Sequence, residues 1–171
     1  MRYWQNMIGG AVAALFFTLA AVPVAPANAD ETYPPQTVNK QQRCPVCGMY
    51  PARYPRWQGQ IIFKDNKMSA FESPAELFRF RFDMSKFDKE HSAADIAQIY
   101  LSDYNGSGWI KAEQAVLVAG SDTNGPMGAD MPAFKSSQDA ERFAKEHGGR
   151  AVPFGQVSPE TLQTLRHPMH H

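Results

Sequence analysis

The sequence predicts an α+β fold: duplicated ββα-type units packed as one compact domain, after an N-terminal signal peptide. Three observations predict it. First, "MSAFESPAELFRF" (68–80) and "MPAFKSSQDAERF" (131–143) align at an offset of 63 residues. Met68/Met131, Ala70/Ala133, Phe71/Phe134, Ser73/Ser136, Arg79/Arg142 and Phe80/Phe143 are identical in that alignment, and Glu76/Asp139 are both acids. Second, each copy places strand-like residues ahead of a capped amphipathic helix. Third, the chain left after an apolar leader is about 142 of the 171 residues, the size of one compact domain.

The elements follow in chain order. Gly9 to Val24 is a nearly unbroken apolar run without charge, behind a single cation at Arg2. It falls short of the ~20 residues a spanning helix needs, and "APANA" closes it with the small residues a signal peptidase cuts. Residues 1–29 therefore read as a cleavable export signal, the alternative being an uncleaved anchor. Residues 30–43, "DETYPPQTVNKQQR", form a polar leader.

Residues 44–94 make the first ββα-type half. "ARYPRW" and "QIIFK" read as strands flanking a hairpin turn at Gln58-Gly59. Ser73 caps a helix with Pro74 at its first position, and Glu76 three residues on suits a capping box. Leu77, Phe78 and Phe82 form its apolar face. Residues 83–94 read as loop.

Residues 95–157 make the second half. "DIAQIYLSDYN" alternates as a strand and stops at "NGSG", "AVLVAG" is a short buried strand, and "SDTNGPMGADMP" is a long loop. Ser136 or Ser137 caps the clearest helix, with Asp139 in its first turn, Ala140, Phe143 and Ala144 on one face, and Gly148-Gly149 as its stop. "RAVPF" follows as a strand. Residues 158–171 form a tail, and its end, "RHPMHH", is not expected to pack.

Charge excludes some functions. Lys+Arg and Asp+Glu both number 17. Removing residues 1–29 takes away only Arg2, which leaves 16 against 17, a net of −1. There is no basic stripe, so nucleic acid has no electrostatic footprint here. No block of like charge marks an interaction tail.

The chemistry concentrates in "RCPVCGMYPARYP", residues 43–55. It holds the only two cysteines, Cys44 and Cys47, with Met49 close behind. Four readings are open. A disulfide over so short a loop removes little unfolded-chain entropy and would be a poor staple. A thioredoxin-like pair needs a helix opening at the motif to lower the thiol pKa, and Gly48, Pro51 and Pro55 oppose one. A structural zinc site wants four N/S ligands, yet there is no second cysteine pair, and His91 and His147 are far apart, which leaves only the tail histidines. A soft-metal site fits best, because thiolate and thioether sulfur prefer Cu⁺.

The repeat separates framework from chemistry. A residue the fold needs should recur in both halves; a residue the chemistry needs has no such reason. Met131 recurs as Met68, which points to packing. Cys44, Cys47, Met49 and Met127 fall against Ser107, Ile110, Ala112 and Lys64. These four sulfurs are the candidate ligands. Met127 sits in "GPMG", where flanking glycines let the backbone approach and rearrange, as suits a carrier that must release its metal. Met131, His167, His170 and His171 are secondary candidates, the last three as a capture site in the tail.

"CPVCGM", "FESPAELFRF", "IYLSDYNGSGWIKAEQAVLVAG", "GPMGADMPAF" and "AERFAKEHGG" together resemble the NosL family, in order, over residues 44–154. The resemblance implies a pair of ββα-type units and no enzymatic turnover. It implies a periplasm-facing Cu⁺ chaperone that serves maturation of nitrous oxide reductase. Its partner would be a membrane-associated copper-enzyme assembly complex or the apo-reductase. The family's Cys-x-Met pair falls on Cys47 and Met49, and the methionine of its later Met-Gly loop on Met127. Cys44 is the extra cysteine of a C-x-x-C variant. Family members are typically lipoproteins; no lipobox cysteine is seen here, so a soluble periplasmic form is expected. The alternative function is a thiol–disulfide oxidoreductase acting through Cys44 and Cys47 on a copper protein.

Overall fold

The structure, a computed structural model, describes residues 32–166. The signal-peptide reading and the tail histidines His167, His170 and His171 lie outside the described residues.

β1 (Gly59–Phe63) and β2 (Met68–Phe71) form an antiparallel hairpin. Its turn lies at 64–67, where Asn66 takes φ 65°, a left-handed conformation that asparagine tolerates. The hairpin expected at Gln58-Gly59 is therefore displaced. "ARYPRW" (52–57) forms no strand; its first two residues belong to a 3₁₀ turn at Pro51–Arg53, and Pro55 cannot donate to a ladder. Gly59 serves packing: a Cβ there would lie 2.6 Å from Leu77 Cδ1.

α1 (Pro74–Phe82) begins where expected, with Ser73 Oγ accepting from the Glu76 backbone N–H at 3.4 Å. The Glu76 carboxylate does not complete a capping box; it pairs with Arg79. α1 packs on β1, β2 and α4 (Pro159–Arg166), so it buries Leu77, Phe78 and Phe80. Phe82, expected on the apolar face, is 37% exposed. The stretch 83–94, read as loop, contains a short α2 (Met84–Phe87) that buries Met84.

β3 (Ile96–Ser102) pairs with β1, and β4 (Trp109–Lys111) with β3, giving an antiparallel sheet of order β2-β1-β3-β4. The first sheet thus extends to Lys111, and a division at 94/95 falls inside it. The second sheet has the order β8-β5-β9, from β5 (Val116–Ala119), β8 (Ala133–Phe134) and β9 (Arg150–Pro153). α3 (Ser137–His147) joins β8 to β9, with Ser136 Oγ accepting from the Asp139 N–H at 3.1 Å and Gly148 ending it at φ 75°.

Each unit is therefore ββαβ. Its last strand returns to its first, β3 onto β1 and β9 onto β5. The segments matched in sequence are β2–α1 and β8–α3. Between β5 and β8, the long loop folds a small hairpin of β6 (Asn124–Gly125) and β7 (Gly128–Ala129). The stretch after 157 is not simply a tail, because α4 buries Leu162 and Leu165. One core runs through both sheets, with Ile61, Phe71, Phe78, Leu101, Leu117 and Met131 fully enclosed. The polar leader docks on this framework: Gln36 N–H donates to Gln60 Oε1 at 2.8 Å, and Tyr100 OH donates to the Tyr33 carbonyl at 2.8 Å.

Candidate metal centre

The Cys44–Met49 segment closes on itself. Gly48 N–H donates to the Cys44 carbonyl at 2.9 Å, and Cys44 N–H to the Met49 carbonyl at 2.8 Å. The reversal needs Gly48 at φ 76°, a conformation that glycine adopts without a Cβ penalty. Arg43 braces the loop, donating to the Gly48 carbonyl at 2.9 Å and to Tyr50 OH at 2.6 Å. No α-helix opens within the motif itself; the residues after it, Pro51–Arg53, form a 3₁₀ turn.

Both cysteines are free thiols, Cys44 buried and Cys47 half-buried. They face the start of α1. Cys47 Sγ donates to Glu72 Oε1 at 3.1 Å. Donor atoms of Cys44, Cys47, Glu72 and Glu76 all lie within 4.8 Å of one another. Glu72 is fully enclosed, and its Oε2 has no hydrogen-bond partner. Burial pushes the Cys44 thiol well above its usual range, and the Glu72 carboxylate adds to the effect. Burial raises the Cys47 thiol as well, partly offset by the Met49 backbone.

The methionines differ in placement. Met49 is half-buried in the loop. Met127 turns the β6–β7 hairpin and is 57% exposed. A thioether that exposed is not core filler. The hairpin's root is tied to the same helix start: Asp130 Oδ1 accepts from the Ala75 N–H at 3.0 Å and the Met131 N–H at 2.8 Å. Burial pushes Asp130 up to about 6, against the lowering effect of its bonds from Ser73, Met131 and Ala75. Met131 itself is fully buried and packs in the same core cluster as Cys44.

Glu72 and Glu76 were not among the sequence candidates. The signal for Glu72 was available: it falls against Lys135 in the repeat, so it departs from the framework as the four sulfurs do. Glu76 has an acidic counterpart, Asp139, and its helix-capping position hid it.

Fold and site together define a class: a small two-unit ββαβ protein that gathers thiols and carboxylates at a helix start, with a thioether on a tethered hairpin. The chain belongs to the NosL family, whose pattern matches residues 35–162. It is 31% identical over 137 residues to the copper-binding lipoprotein NosL of Stutzerimonas stutzeri, covering 75% of this chain and 68% of that one. Its fold is similar to the crystal structure of the copper chaperone NosL from Shewanella denitrificans, with a TM-score of 0.65 and 26% identity, over 75% of this chain and 98% of that one.

Proposed function

We propose that this chain is a periplasmic Cu⁺ metallochaperone without enzymatic turnover. It carries one ion on Cys47, Met49 and Met127, with Cys44 as a further thiolate. It delivers that ion to a copper-enzyme assembly machinery, with nitrous oxide reductase as the client. Delivery is to a membrane-associated complex or to the apo-reductase. The observation that carries the reading is two free thiols on a closed loop facing the start of α1, to which Asp130 ties the hairpin that bears the exposed Met127. Soft donors of this kind select Cu⁺ over hard cations. The relatives named for copper binding and copper chaperoning support it.

Binding exchanges protons for metal: each thiol that ligates loses its proton to solvent, and the thioethers bind neutral. Transfer proceeds by ligand exchange, for which a solvent-facing methionine is a suitable first donor to release. Disulfide exchange needs thiolate at neutral pH, and the raised thiols of both cysteines disfavour it.

Anaerobic Cu⁺ titration against a competing chelator tests the assignment. Cys47→Ser, Met49→Ala and Met127→Ala each weaken binding, Cys47→Ser most. Three variants that hold Cu⁺ as tightly as the wild type would refute the site.

A further inference from the structure

We propose that Cys44, Cys47, Glu72 and Glu76 form a second, inner donor set for a borderline divalent cation, Zn²⁺. It shares the two thiols with the Cu⁺ set but uses neither methionine, so the two ions compete for one loop.

Geometry supports it. The four donor atoms lie within 4.8 Å of one another. A tetrahedral Zn²⁺ with Zn–S of about 2.3 Å and Zn–O of about 2.0 Å spaces its donors by roughly 3.3–3.8 Å. Closing the set takes side-chain movements on the order of 1 Å. The cysteines sit on a short loop turned by glycine, and the carboxylates flank the first turn of α1.

Burial supports it independently. Glu72 is fully enclosed with Oε2 unpartnered. An enclosed carboxylate oxygen without a donor is costly, and a cation between Glu72 and the thiols removes that cost. Chemistry then selects the ion. Carboxylate oxygen adds little to Cu⁺, whereas Zn²⁺ takes Cys sulfur and Glu oxygen together. Charge points the same way. Two thiolates and two carboxylates carry four negative charges; Zn²⁺ and the Arg79 guanidinium paired with Glu76 offset three of them, and Cu⁺ would offset one fewer. Arg79 orients Glu76 from outside the donor set, as outer partners of metal ligands do. The binding step loses the protons of both thiols to solvent and changes no oxidation state.

The test is an anaerobic titration of the purified protein with Co²⁺, followed by visible absorption and back-titrated with Zn²⁺. One Co²⁺ per chain is expected, with thiolate-to-cobalt charge transfer and intense tetrahedral d–d bands that Zn²⁺ abolishes. Cys44→Ser and Cys47→Ser each diminish the charge-transfer band. Glu72→Gln weakens Co²⁺ binding at least tenfold and shifts the d–d bands; Glu76→Gln does so independently, which covers the case that Glu72→Gln misfolds. Met49→Ala and Met127→Ala leave the Co²⁺ titration unchanged. The proposal is overturned if both glutamine variants bind Co²⁺ like the wild type, if the methionine variants lose it, or if the wild type binds none. Because the Cu⁺ reading is scored on the methionine variants with Cu⁺, failure of one reading is distinguishable from failure of the other.

Discussion

The two ββαβ units start from the same plan and end with different duties. α1 and α3 begin at equivalent serines, and Phe71 and Phe134 occupy equivalent buried positions. Beyond that they diverge. α1 is enclosed by sheet and α4, and its first turn faces the two thiols. α3 keeps a single fully buried residue, Ala140, and turns a lysine- and glutamate-rich face outward. The first unit thus holds the thiols with Glu72 and Glu76, and the second supplies Asp130 and the hairpin with Met127. The difference teaches that positions shared by the repeat, such as Phe71/Phe134 and Ser73/Ser136, build the scaffold of both units.

The largest test strikes the shared positions. Phe71→Ala and Phe134→Ala should each cost about 3–5 kcal/mol in denaturant unfolding, as truncation of enclosed aromatics does. Similar losses in the two units would uphold their equivalence; a negligible loss in either would break it.

Asp130, which ties the second unit's hairpin to the first unit's helix, has no acidic counterpart in the other unit, where Lys67 stands. Its folded pKa of about 6 lies above the ordinary 3.8. The stability this group contributes is therefore fully present below pH 3.8 and is lost as pH rises through about 6. That gap corresponds to about 3 kcal/mol. In urea unfolding, Asp130→Asn should lack the stability change between pH 4 and 7 that the wild type shows. An identical slope in the variant would exclude Asp130 as its source.

The pH dependence of Cu⁺ affinity sharpens the contrast at the thiols. Both thiol pKa values are raised, so the thiols are protonated at neutral pH and binding must displace their protons. Affinity should rise with pH by up to about 100-fold per pH unit if both cysteines ligate, and about tenfold if Cys47 acts alone. Competition titrations at several pH values separate the two cases; no dependence would exclude both thiols.

The smallest effect lies at the caps. Ser73→Ala and Ser136→Ala should each cost about 1 kcal/mol in thermal or urea unfolding. A null result at one serine alone would show that the helices are held differently despite their matched starts.

Much of this was legible in the sequence. The repeat located β2–α1 and β8–α3 because local capping and hydrophobic pattern agree there. Non-local effects were not legible. Phe80 rather than Phe82 is buried because its ring packs against Phe71 of β2 and Phe87 of α2, contacts that no local pattern announces. β3 joins the first sheet through pairing with β1, which sequence proximity to β5 conceals. The thiols, Met127 and Glu72 depart from the repeat, whereas Glu76, matched by the acidic Asp139, acquires its meaning only from a buried setting that tertiary contact creates.

X-ray absorption at the copper edge of the Cu⁺-loaded chain tests the central claim most directly. The account predicts a coordination shell dominated by sulfur, reduced in sulfur count by Met127→Ala. A shell of nitrogen and oxygen neighbours alone would contradict it.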